Sequence, residues 1–106
     1  MGKPISRLRS LAFHKQGGLC YYCDLPMFEI DSTEFCSRWN LTTRQAKQFL
    51  CTAEHLVPRC EGGKDSRANI VAACWRCNQT RHRRKDPPSP ERWKQIRACW
   101  RPFYLR

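Results

Sequence analysis

Two cysteine pairs share one spacing: Cys20-Tyr21-Tyr22-Cys23 and Cys74-Trp75-Arg76-Cys77, with 50 residues between them. Two residues between cysteines let the backbone curl so that both thiolates reach one ion at about 2.3 Å, and two such pairs complete a tetrahedron around Zn²⁺. One pair alone would also suit redox exchange; two in a short basic chain suit a structural four-cysteine zinc site. The other four cysteines, Cys36, Cys51, Cys60 and Cys99, have no such pairing and read as small buried hydrophobes. A second set of residues surrounds the second knuckle: Glu54-His55, then Asn69, then Asn78 directly after Cys77. A carboxylate and an amide oxygen are hard ligands, suited to Mg²⁺ or Mn²⁺ rather than to Zn²⁺. An adjacent imidazole, neutral near pH 7, can take a proton from water. Base, ion and a basic surface for a polyanion are together the requirements of metal-assisted phosphodiester hydrolysis.

The elements that must position these residues can be read from pattern. Cys51–Leu56 and Asn69–Ala73 read as strands, and the segment from Pro58 to Ser66, with Gly62-Gly63, reads as a wide loop between them. From Cys74 to about Lys85 the pattern turns helical and stops before Asp86-Pro87-Pro88. Strand, loop, strand, helix would bring His55, at a strand end, beside Asn78, in the first turn of a helix. Upstream, Ile5, Leu8, Leu11 and Ala12 recur at helical spacing and Gly17-Gly18 ends the run. Thr42 and Gln45 form a capping-box pattern for a helix over Thr43–Phe49. Residues 24–41 read as a locally acidic loop or insertion. Ser89 can cap a last helix with Pro90 at its first position, Trp93, Ile96 and Trp100 on one face, and Pro102 ending it.

The chain has 106 residues and a formal net charge of +11. This length predicts one domain, residues 1–106, with a modest core that a metal staple would help to stabilise. Its 41% apolar residues argue against wholesale disorder. The longest apolar run, Ile70–Trp75, is far below the roughly 20 residues of a membrane span. The N-terminus has no apolar core of a secretory signal, so a cytoplasmic location is expected. Charge is uneven: residues 1–23 carry +4, residues 24–75 carry −1, and residues 76–106 carry +8. Basic arms around a nearly neutral centre favour a polyanion partner, and such contacts hold phosphates without reading sequence. Tyr21, Tyr22, Trp75, Trp93 and Trp100 suit either base stacking or the core around the knuckles.

The blocks Glu54-His55-Leu56-Val57-Pro58-Arg59, Gly62-Gly63, Asn69-Ile70-Val71 and Cys74-x-x-Cys77-Asn78 closely resemble the HNH endonuclease family. Ala53 to Lys85 is similar to that family's ββα-metal motif, with the paired zinc knuckles many members carry. The resemblance implies an α+β fold: a small zinc-stabilised domain with a ββα-metal centre over residues 51–85, flanking helices, and a basic C-terminal helix or tail over residues 86–106. The name-giving positions fall on His55, Asn69 and Asn78. His55 is then implied as the general base that activates water for attack on phosphorus. Glu54, where the family more often has Asp, and Asn78 are implied as ligands of the catalytic divalent ion. Asn69 is implied to hold the loop and orient His55. Products with 5′-phosphate and 3′-hydroxyl ends are expected.

His82, four residues after Asn78, shares its helix face and is either a third ion ligand or a solvent-facing member of a basic run. Arg59, Arg81, Arg83, Arg84 and Lys85 are the expected nucleic-acid contacts. The cofactors expected are a structural Zn²⁺ and a catalytic Mg²⁺, Mn²⁺ or other divalent ion. DNA is the expected partner, with weak sequence preference and no membrane association. Monomer and homodimer remain open, as does membership of larger phage or mobile-element machinery. Two other readings stand beside this one: a non-catalytic zinc module that binds nucleic acid, and a nuclease directed at RNA or branched DNA.

Overall fold

A computed structural model describes residues 4–102 and Tyr104. Its centre is a two-stranded antiparallel sheet, β1 (Cys51–His55) and β2 (Ile70–Cys74). Register runs from Cys51 opposite Cys74 to His55 opposite Ile70, so Glu54 and His55 arrive at the loop end of the hairpin. The loop folds back on itself at Gly62 and Gly63. Gly62 has φ 90°, and a Cβ on Gly63 would collide with the Val57 carbonyl, so neither position suits a side chain. The expected strand boundaries hold to within one residue.

Helix α1 (Ile5–Lys15) lies against both strands. Just past its end, the Gln16 side chain pairs with the backbone of Ala72. Nε2 donates to the Ala72 carbonyl at 2.8 Å and Oε1 accepts from the Ala72 N–H at 2.9 Å. One amide thus satisfies strand-edge groups that would otherwise need water. Residues 24–41, expected as a loop, contain a helix, α2 (Thr33–Trp39). Asp31 accepts from the N–H of Thr33 at 3.0 Å at its start, and Asn40, at φ 53°, ends it. Phe35 fixes the helix to the body through Phe28 and Phe49, with ring centroids 5.2 and 5.8 Å away. The capping box forms as expected at α3 (Thr43–Ala46), Thr42 Oγ1 accepting from Gln45 N–H at 3.1 Å and Gln45 Oε1 from Thr42 N–H at 3.0 Å. The turn continues as a 3₁₀ segment over Lys47–Phe49.

Helix α4 (Trp75–His82) stops before the expected Lys85. There the chain bends back, and the Pro88 carbonyl accepts from Arg81 Nε at 2.9 Å. Helix α5 (Pro90–Arg97) starts with Ser89 Oγ accepting from the Arg92 N–H at 3.1 Å. Its inward face differs from expectation. Trp93 is buried, but Ile96 is exposed and Arg97 is buried in its place, because Arg97 is held by the knuckle sulfur described below. The helix ends at Arg97, ahead of Pro102. The core is built of Tyr22, Phe49, Trp93 and the four knuckle cysteines. No helix among the described residues is long and apolar enough to cross a membrane.

Candidate active site

The four knuckle cysteines meet. Cys20, Cys23, Cys74 and Cys77 are fully buried, with their Sγ atoms all within 4.8 Å of one another. Adjacent vertices of a zinc–sulfur tetrahedron lie about 3.8 Å apart, and Cys23 and Cys74 Sγ are 3.9 Å apart. Backbone N–H groups already point at the sulfurs: Cys74 N–H donates to Cys20 Sγ at 3.2 Å, Tyr22 N–H to Cys20 Sγ at 3.4 Å, and Cys77 N–H to Cys74 Sγ at 3.4 Å. Arg97 Nε donates to Cys77 Sγ at 3.2 Å, with its guanidinium 4.1 Å from the Trp100 ring centroid. Thiol hydrogen bonds from Cys23, Cys74 and Cys77 pull Cys20 well below the ordinary thiol range and those from Cys74 and Cys77 lower Cys23, whereas Cys20 and then Cys23 push Cys74 and Cys77 above it. Two of the thiols therefore favour the thiolate and two resist it, and a bound divalent cation would relieve that resistance. The cluster fits zinc.

The other cysteines divide differently from expectation. Cys51 is buried, and burial pushes its thiol up to about 12. Cys36 is half-buried, while Cys60 and Cys99 are exposed, so these last two are not core residues. Cys60 sits on a short helical turn of the open loop and Cys99 lies just beyond α5, where no neighbouring element covers them. All eight are free thiols.

A cleft of ≈ 360 Å³ is lined by Ala53, Glu54, His55, Pro58, Arg59, Asn78 and His82. Glu54 is 3% exposed, and its two carboxylate oxygens have different surroundings. Oε2 accepts from the Tyr22 hydroxyl at 3.1 Å and from Arg81 Nη1 at 3.3 Å. His82 Nε2 lies 2.9 Å from Oε1 and 3.2 Å from Oε2. Burial and the Glu54 carboxylate push the Tyr22 hydroxyl above its ordinary range, which keeps it a donor. Two ligands at about 2.1 Å on adjacent octahedral vertices lie about 3.0 Å apart, so the Oε1–Nε2 edge suits a small divalent ion. Asn78 Nδ2 donates to Thr52 Oγ1 at 2.9 Å and to the Ala53 carbonyl at 3.5 Å. This commits its nitrogen and leaves Oδ1 as the uncommitted atom.

His55 Nε2 lies 2.7 Å from Asp65 Oδ1, and Arg59 makes a forked pair with the same carboxylate at 2.9 to 3.2 Å. Hydrogen bonds from His55 and then Arg59 hold the Asp65 carboxyl below the usual carboxylate range. An ionised carboxylate can only accept, so Nε2 carries the ring proton and the lone pair is on Nδ1. Asn69 clamps the loop. Its Oδ1 accepts from the Val57 N–H at 2.8 Å, and its Nδ2 donates to the Val57 and Lys64 carbonyls at 3.0 and 2.9 Å.

The structure thus brings Glu54, His55, Asn78 and His82 to one cleft and sets Asn69 behind its loop wall. His82 is hydrogen-bonded to Glu54 and at the same time exposed, its side chain 43% accessible. Arg83, Arg84 and Lys85, which follow His82 directly, are exposed. Arg81 is not: it is 4% exposed and bonded to Glu54 and Pro88. Its expected place among the nucleic-acid contacts is corrected, since a buried guanidinium committed to a carboxylate has no face for a phosphate. Reading the sequence missed three participants, Tyr22, Asp65 and the inward role of Arg81. The sole local signal was Asp65 beside the Gly62-Gly63 fold-back.

Residues 43–84 match the family model described as HNH endonuclease. The match covers 42 of the 106 residues, so this part of the chain has the sequence pattern of an HNH endonuclease domain. The matched span runs from α3 to just past α4 and holds Glu54, His55, Asn69, Asn78, His82 and the second knuckle. The first knuckle, Tyr22 and α5 lie outside it. No match was found among curated proteins or among solved structures.

Proposed function

We propose that this chain is a divalent-metal-dependent endonuclease that hydrolyses DNA phosphodiester bonds with His55 as general base. The observation that carries the reading is one cleft onto which open an imidazole held by an ionised carboxylate and a buried carboxylate–imidazole pair. His55 Nδ1 takes the proton of an attacking water, and Asp65 at Nε2 fixes the tautomer and stabilises the resulting imidazolium. Glu54, Asn78 and His82 are the residues that would hold a Mg²⁺ or Mn²⁺ ion. When bound, the ion supplies charge stabilisation for the scissile phosphate and the leaving 3′ oxygen. Asn69 keeps Val57, two residues beyond His55, at a fixed place. The four cysteines and Zn²⁺ staple the fold outside the reaction. Arg83, Arg84 and Lys85 contact phosphates, and Arg59 joins them while it remains paired to Asp65. Nothing in this surface reads base edges, so sequence preference is weak.

The test uses supercoiled plasmid with the zinc-loaded protein in Mg²⁺, Mn²⁺ or EDTA, beside a Glu54→Gln variant. Nicking that requires the divalent ion and falls at least about 100-fold in the variant supports the proposal. DNA binding without cleavage in either ion would make the chain a non-catalytic module. A parallel panel of RNA and branched DNA reports whether duplex DNA is the preferred substrate. Binding should weaken steeply between low and moderate salt.

A further inference from the structure

We propose that Tyr22, inside the first cysteine knuckle, is a positioning residue for the Glu54 carboxylate, so that occupancy of the four-cysteine site and binding of a divalent ion in the cleft are coupled. The inference rests on the reading of Glu54 as an ion ligand. Tyr22 lies between Cys20 and Cys23 in sequence, and its N–H donates to Cys20 Sγ at 3.4 Å. The hydroxyl at the other end of the same residue donates to Glu54 Oε2 at 3.1 Å. Tyr22 is 1% exposed and Glu54 3%, so no water substitutes for this bond without opening the core.

The opposite side of Glu54 is also tied to the knuckles. Cys74 and Cys77 stand at the start of α4, and Arg81 and His82 stand at its end. Arg81 Nη1 reaches Oε2 at 3.3 Å and His82 Nε2 reaches Oε1 at 2.9 Å. Two jaws therefore close on one carboxylate, the knuckle loop through Tyr22 and the helix through Arg81 and His82. Both jaws are rooted in the thiols that would share one Zn²⁺. Tyr22 and Arg81 both bond Oε2, which His82 Nε2 also approaches at 3.2 Å, while Oε1 has His82 as its hydrogen-bond partner. A knuckle that opens takes Tyr22 with it and frees the carboxylate to rotate.

Coupling between two binding sites is reciprocal. If zinc aligns Glu54 for the second ion, that ion must in turn tighten zinc binding by the same factor. The bond at stake is one buried hydrogen bond to a charged acceptor, worth roughly 10- to 150-fold in full, of which Arg81 and His82, still holding Glu54, leave about 3- to 10-fold to be lost in ion affinity.

The experiment uses the full, zinc-loaded chain as wild type, Tyr22→Phe and Glu54→Gln. Mn²⁺ affinity is read from the electron paramagnetic resonance signal of free Mn²⁺. Zinc affinity is read by equilibrium competition with a zinc-selective fluorescent chelator, with and without saturating Mn²⁺. The expected result is one zinc per chain in all three proteins. Mn²⁺ binding should be about 3- to 10-fold weaker in Tyr22→Phe, and Mn²⁺ should tighten zinc binding in the wild type but less so in Tyr22→Phe. Equal Mn²⁺ affinity and equal tightening of zinc in wild type and Tyr22→Phe would overturn the coupling while leaving Glu54 as ligand intact. Equal Mn²⁺ affinity in wild type and Glu54→Gln would overturn the ligand reading itself. Should Tyr22→Phe lose zinc on purification, the wild type alone decides: zinc affinity unaffected by Mn²⁺ rejects the coupling.

Discussion

Asn69 makes the loop between β1 and β2 a fixed part of the cleft, and its replacement by Ala has a calculable cost. Three hydrogen bonds disappear: one accepted from the Val57 N–H and two donated to the Val57 and Lys64 carbonyls. Each is worth about 0.5–1.5 kcal/mol net. Because the side chain is half-buried and water can reach the freed groups, the lower half of that range applies. The sum is about 2 kcal/mol, equivalent to a fall in Tm on the order of 10 °C for a domain of this size. Asn69→Asp separates the contributions. It keeps an acceptor for Val57 N–H, loses both donors, and sets a carboxylate against two carbonyl oxygens. It should be less stable than Asn69→Ala by about 1 kcal/mol at pH 7. A raised carboxyl pKa in that variant means the deficit is present above the folded pKa and shrinks as the group protonates in acid. Urea unfolding at fixed zinc concentration measures both variants. Cleavage at a temperature where they stay folded should fall as well, because Val57 lies two residues from His55. Asn69→Ala within about 0.5 kcal/mol of wild type, with unchanged cleavage, would refute the clamp.

Other consequences follow from the same geometry. Alkylation at pH 8 followed by peptide mapping should label Cys60 and Cys99 first and leave Cys51 unmodified. The raised Cys51 value of about 12 means its neutral form is favoured by the fold. That contribution is complete below the unfolded thiol's pKa of about 8.5 and is lost as pH rises toward the folded value. Labelling of Cys51 at the rate of Cys60 would contradict its burial. Arg97→Met removes the donor to Cys77 Sγ and the stacked cation on Trp100, and zinc should pass to a chelator on the order of 10-fold faster; an unchanged rate rejects a role for Arg97 at the sulfurs. Asp65→Ala should lower cleavage about 10- to 100-fold with DNA affinity nearly unchanged, and full activity would remove Asp65 from the account.

What could be read ahead of the structure was local. The knuckles announce themselves because both ligands of each pair lie within four residues. The capping box at Thr42, the Ser89-Pro90 start and the Gly62-Gly63 fold-back are likewise short-range chemistry, and each forms. The ββα order follows from strand and helix patterns next to those signals. What escaped depends on partners distant in sequence. Tyr22 and Glu54 are 32 residues apart, and Arg97 and Cys77 are 20 apart. A charged Arg97 at helical spacing from Trp93 reads as surface until a sulfur cluster lies beneath it. Arg81 reads as one more basic residue in a basic run, yet the buried Glu54 carboxylate draws it inward. The helix α2 was hidden by its acidic start and by a short apolar stripe that gains meaning once Phe28 and Phe49 face Phe35.

The most direct measurement compares wild type with His55→Ala, both zinc-loaded, on supercoiled plasmid in Mn²⁺, with Mn²⁺ and DNA affinities measured alongside. Removing the base while leaving Glu54, Asn78 and His82 in place should cost about 100- to 10,000-fold in cleavage rate, with both affinities held within a few-fold. Cleavage by His55→Ala at the wild-type rate would contradict the assignment of His55 as the group that activates water.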